Sequence, residues 1–121
     1  MRTYLLLFSL LAVAVFGCTN KEAAAPETGP VSGDCSTKQI SSAYVYGLVQ
    51  RTCTGCHSGS TAPLGADFNT LAKFRSFISN NEAVFRLRVT GPQADMPQGS
   101  GPLPQAVRDS ISCWISNGMP E

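Results

Sequence analysis

From Cys35 onward, apolar positions recur at helical spacing in short blocks separated by polar, Gly- and Pro-rich stretches. Val45, Val49, Cys53 and Cys56 fall at i, i+4, i+8 and i+11, a single stripe that predicts a helix from about Ser42 through the cysteines. Gly47 lies on another face, where it costs about 1 kcal/mol relative to alanine. Close approach of a second helix would offset that cost; a tolerated surface glycine is the alternative. Leu71, Phe74 and Ile78, at i, i+3 and i+7, predict a second short helix with Asn69 or Thr70 as its N-cap. In residues 82–90, Ala83, Phe85, Leu87 and Val89 alternate as in a strand. No partner strand is evident elsewhere, so a short helix is expected. The last block is clearer. Pro104 suits a first helical position, Val107, Ile111, Trp114 and Ile115 form the stripe, and Asn117-Gly118 followed by Pro120 is a stop signal. The pattern predicts an all-α domain of about four short helices over residues 35–121.

The N-terminus is of a different kind. Arg2 precedes the apolar run Leu5–Phe16, which is followed by Gly17 and Cys18. A basic start and a run short of the ~20 residues needed to span a bilayer describe a signal peptide over residues 1–17. Val15-Phe16-Gly17-Cys18 resembles the lipobox of bacterial lipoproteins, which implies lipidation of Cys18 and anchorage to a membrane of the cell envelope, on its periplasmic side. Thr19 in place of an aspartate points, by analogy with lipoprotein sorting, to the outer membrane. The rest of segment 18–34 holds one large apolar residue, Val31, and reads as a flexible tether. Its root-mean-square span is roughly 20–24 Å, enough to lift a small domain clear of lipid headgroups.

Removing residues 1–17 takes Arg2 with it and leaves eight Lys/Arg against eight Asp/Glu. That balance gives no electrostatic footprint for nucleic acid.

Cys53-Thr54-Gly55-Cys56-His57 is the C-x-x-C-H pattern of covalent c-type haem attachment. Each thiol can form a thioether to one haem vinyl group, and the adjacent imidazole is placed to bind the iron. His57 is the chain's one histidine, so bis-histidine ligation is excluded, and the absence of a second motif sets the count at one haem. The loop 58–67 is expected to wrap the histidine side, with a carbonyl near Pro63 taking the second imidazole N–H. Five cysteines are an odd number for an exported chain. With Cys18 assigned to lipid and Cys53 and Cys56 to haem, Cys35 and Cys113 remain. An oxidising compartment favours their pairing as a disulfide; two free thiols are the alternative.

The sixth iron ligand decides function. Met1 leaves with the signal peptide, and Met96 lies in a Gly- and Pro-rich loop, Asp95 to Pro102, where a methionine is poorly placed to fill a core. Met119 is the competitor, beyond the last helix stop. A thioether favours Fe(II) and raises the potential, and with both axial positions filled the iron exchanges electrons and not atoms.

With Met96-Pro97 in a late loop and Cys113-Trp114-Ile115-Ser116-Asn117-Gly118 at the final helix, the chain from Cys35 to Pro120 resembles a monohaem cytochrome c of the class I type, of the lipoprotein-anchored bacterial kind. The resemblance implies a small all-α fold around one haem, with the first and last helices crossing near Trp114. It implies an electron carrier, not an enzyme, meeting respiratory donor and acceptor proteins by transient contact. Val45 and Val49 stand where that family often carries a glycine and an aromatic, so the crossing is expected to differ in detail. Three alternatives compete: an open-site haem protein for gas binding or peroxide reduction, a haem subunit of a larger respiratory complex, and a zinc or redox-thiol module using Cys53, Cys56 and His57 with a further ligand such as Cys35.

Overall fold

The computed structural model describes residues 34–121. The expected signal peptide, the lipidated Cys18 and the tether up to residue 33 lie outside the described residues. Within them the chain is all-α: α1 spans Ser42–Thr52, α2 Leu71–Phe85 and α3 Gln105–Ser116, with no strand among the described residues. Short 3-10 turns occupy Cys35–Thr37 and Pro63–Gly65, and a π-helical turn, Arg86–Thr90, continues α2.

Helix α1 begins where the Ser41 hydroxyl accepts the Tyr44 N–H at 3.3 Å, an N-cap that satisfies one of the free donors of the first turn. Val45 and Val49 are buried as its stripe requires. The helix ends earlier than expected, at Thr52, so the cysteine motif forms the turns beyond it. There Thr52 and Thr54 hydroxyls bond back to the Leu48 and Gln50 carbonyls, each at 2.8 Å, and compete with helical continuation. A Cβ on Gly47 would meet only the Arg51 guanidinium, at 3.4 Å, so this is a surface glycine and no helix approaches it closely.

Thr70, not Asn69, caps α2, accepting the Lys73 N–H at 3.2 Å. The helix runs well past Ile78, through a kink at Asn81 (φ −139°), and buries Phe74, Ile78 and Phe85. The apparent alternation in residues 82–90 is therefore helical: Phe85 is buried while Ala83 and Leu87 are exposed. Four helices become three, because the second and third predicted segments are one continuous element with a π-turn at its end. In α3, Pro104 is the N-cap rather than the first helical residue. All five residues Ile111 to Ile115 are buried, a wider face than the predicted stripe.

The core gathers Val45, Phe74, Ile78 and Trp114, none with measurable exposure. Trp114 stacks on Phe74 at 6.0 Å between ring centroids. Behind it the C-terminal residues close the helix junction: the Pro120 carbonyl accepts from Ser42 N (3.1 Å), Ser42 Oγ (2.7 Å) and Trp114 Nε1 (3.0 Å). The Arg75 guanidinium donates to Ser42 Oγ and to the Met119 carbonyl and pairs with Glu121. On the flank of α3, Cys113 is bonded to Cys35. The neighbouring Asn117 amide donates to the Cys35 and Lys38 carbonyls at 3.0 and 3.1 Å.

Candidate functional site

Among the described residues an apolar cleft of about 390 Å³ lies between the turns after α1, the 3-10 turn Pro63–Gly65, the end of α2 with its π-turn, and the Met96 loop. Cys53, Cys56, His57 and Met96 all line it. Local structure explains the first three. Cys53 N–H bonds back to Val49, and Cys56 and His57 N–H both return to the Cys53 carbonyl (3.1 and 2.9 Å), winding the motif into tight turns at the end of α1. Cys53 is half-buried and Cys56 exposed, and both thiols are free. Burial pushes the Cys53 thiol above its ordinary pKa, against a smaller lowering by the Thr52 hydroxyl. A thiol shifted that way is a poor thiolate nucleophile at neutral pH.

His57 is held from one side by Phe68, whose ring stacks on the imidazole at 5.0 Å and 19°. The Phe68 N–H also donates to the His57 carbonyl at 2.9 Å, so backbone and ring are registered together. Phe68 is wedged in turn edge-on against Phe74 and Phe77. The expected carbonyl acceptor near Pro63 is not used this way. The Pro63 carbonyl takes the Ala66 N–H at 3.0 Å, and His57 Nδ1 is buried with no partner among the described residues. An unpaired buried nitrogen is expensive, and this one belongs to the residue that the motif assigns to iron.

Met96 reaches the cleft from a segment pinned to the π-turn. Its N–H and that of Asp95 both donate to the Arg88 carbonyl, at 3.0 and 3.1 Å, and the Arg88 guanidinium meets the Asp95 carboxylate at 2.5 Å. Met119, the rival thioether, is elsewhere: it packs on the core beside α3, with its N–H on the Trp114 carbonyl at 2.8 Å. Cys35 does not line the cleft, and its sulfur is committed to Cys113. Among the described residues no three His, Cys, Asp or Glu side chains converge as a metal cage.

The donor set fits a haem c: two free thiols, one imidazole and one thioether on a shared cleft with walls from Phe68, Phe77, Phe85 and Val89. Sequence reasoning missed Phe68 and the Arg88–Asp95 pair. An isolated phenylalanine between Asp67 and Asn69 in a polar loop was a signal for the first. The second left none, because its two charges become neighbours only when the methionine loop folds back. Comparisons with protein families, with curated proteins and with solved structures found no match to this chain.

Proposed function

We propose that this chain is a one-electron carrier of the bacterial cell envelope, a small class I type cytochrome c with a single covalently attached haem c. The observation that carries the reading is convergence: Met96, distant in sequence from the cysteine motif, lines the same cleft as Cys53, Cys56 and His57, whereas Met119 packs on the core. Bound there, the haem iron supplies a one-electron Fe(III)/Fe(II) couple. Cys53 and Cys56 would hold the haem through thioethers, and His57 would offer the iron an imidazole nitrogen, its ring orientation fixed by Phe68. Met96 would offer the second ligand, a soft sulfur that favours the reduced state. Phe77, Phe85 and Val89 give the cleft apolar walls, which would shield a bound haem from water. Leu64 and Val84 stand exposed on the cleft rim, small apolar contacts suited to brief encounters with redox proteins. A lipid on Cys18 and the segment 18–34 would keep the domain near a membrane, on its periplasmic side. No helix among the described residues is long and apolar enough to cross a membrane.

The zinc reading is weakened by the disulfide, which removes Cys35 from the ligand pool. The redox-thiol reading is weakened by the raised Cys53 pKa, since that chemistry needs the opposite shift. The experiment is a spectrum of the purified oxidised protein with its Met96→Ala and Met119→Ala variants. Haem retained on a denaturing gel and a far-red methionine–iron band, lost in Met96→Ala and kept in Met119→Ala, is the expected result. Absence of covalent haem overturns the reading outright. A high-spin ferrous form that binds carbon monoxide without displacing a ligand would make it an open-site haem protein.

A further inference from the structure

Among the residues lining the cleft, Arg88 alone carries a full charge. It sits in the π-helical turn Arg86–Thr90, closed by Gly91 N–H on the Arg86 carbonyl. A side chain at Gly91 would press on that carbonyl at 3.0 Å, so the turn's exit is built for glycine. Such turns occur mostly as single-turn interruptions of α-helices, frequently at functional sites. Here Phe85, Arg88 and Val89 all face the cleft.

Arg88 holds the methionine segment by two separate arms. Its carbonyl accepts the N–H groups of Asp95 and Met96, and its guanidinium Nε donates to Asp95 Oδ1 at 2.5 Å. Asp95 adjoins Met96, so fixing the carboxylate limits the backbone freedom of the methionine. The loop's other end is held independently, with the Arg108 guanidinium on the Gly91 carbonyl. From this geometry we propose that Arg88 is a positioning residue for Met96: its ion pair with Asp95 clasps the methionine segment against the cleft and sets how firmly the thioether is retained on iron. The proposal rests on the reading of Met96 as an axial ligand. The carbonyl arm survives any change of the Arg88 side chain, so substitution tests the guanidinium arm alone. Arg88 and Asp95 are 33% and 54% exposed, which keeps the variants clear of the core and makes the clasp weak enough to respond to salt.

The test is an imidazole titration of the oxidised holoprotein, followed by loss of the far-red methionine–iron band. Imidazole should displace the thioether at about two- to five-fold lower concentration in Arg88→Ala and in Asp95→Ala, the range of an exposed ion pair. The double variant should go no further than either single one, and Arg88→Lys should recover part of the difference. High salt should weaken retention in the native protein and leave the alanine variants unmoved. Unchanged titrations in both single variants overturn the proposal, as does a shift in Arg88→Ala with none in Asp95→Ala, which would show that the guanidinium acts through a partner other than Asp95. Should Arg88→Ala fail to accumulate, Asp95→Asn, which removes the charge from an exposed position, carries the same expectation. A native protein lacking the far-red band defeats the Met96 ligand reading itself; a native band with silent variants defeats the clasp alone.

Discussion

At the junction where α3 stops, polar groups are turned inward onto one another, with three donors on the Pro120 carbonyl and the Arg75 guanidinium spread over Ser42, Met119 and Glu121. At the cleft the same small domain does the reverse. It exposes aromatic and aliphatic walls, leaves Cys53 and Cys56 free, and buries a His57 nitrogen without a partner. The junction is closed by its own side chains, with only Arg75 Nε left unpartnered, whereas the cleft stays lined by apolar walls and free thiols. A domain this small has little core to spare, so an unfilled apolar cleft is a cost that a bound plate of matching polarity would remove. The contrast also separates where substitutions should act: on stability at the junction, on binding of the proposed haem at the cleft.

The largest test of that contrast is Trp114→Ala, which removes the central aromatic and the Nε1 bond to Pro120 together. It should cost about 3–5 kcal/mol by denaturant unfolding of the holoprotein, and a loss no larger than that of a cleft variant such as Met96→Ala would break the comparison. Next is the pair Cys35→Ala with Cys113→Ala, which opens a closure spanning 78 residues. Thermal unfolding should show a loss of about 2–4 kcal/mol, with the far-red band unchanged because the disulfide lies away from the cleft. The smallest effect is the pH dependence of the loop between the two regions. Asp67 is held below its ordinary pKa of 3.8 mainly by the Lys73 ammonium, then by the Asn69 N–H, with burial opposing and the Gly59 N–H assisting. A lowered carboxylate adds stability that is fully present above its unfolded pKa and is lost as pH falls through its folded value. Asp67→Asn should therefore flatten the acid limb of the melting profile between about pH 5 and pH 2. An acid limb identical to the native one would show that this loop, which carries Phe68 to His57, is held by other contacts.

The parts of the fold legible in the sequence are those decided within a few residues. Ser41 and Thr70 cap the helices they precede, Val45 and Val49 keep their stripe, and Gly118 ends α3 in the left-handed conformation (φ 80°). The merger of α2 with the segment after Ile78 was not legible. Its residues alternate with period two, and the π-turn shifts the helical phase just where a periodicity test would look for it. Of the site, the motif and Met96 could be read directly because their chemistry is specific to residue type. The stacking of Phe68 on His57 and the clasp of Arg88 on Asp95 depend on chain segments meeting, which spacing does not encode. The loop near Pro63 shows the same limit from the other side: the Pro63 carbonyl takes the Ala66 N–H within its own turn, and no carbonyl there reaches His57 Nδ1.

The Cys35–Cys113 bond has a consequence for assembly. On the proposed reading, four cysteines of the folded domain reach two different fates in one oxidising compartment, two as a disulfide and two as thiols kept for attachment. Thiol–disulfide exchange needs a thiolate with access to a sulfur. Once α3 is packed, Cys113 has no exposed surface, while the Cys53 thiol is kept protonated by burial. Burial thus shields the Cys113 sulfur from attack and makes Cys53 a weak attacker, which leaves the exposed Cys56 as the thiol through which any exchange with the disulfide would run.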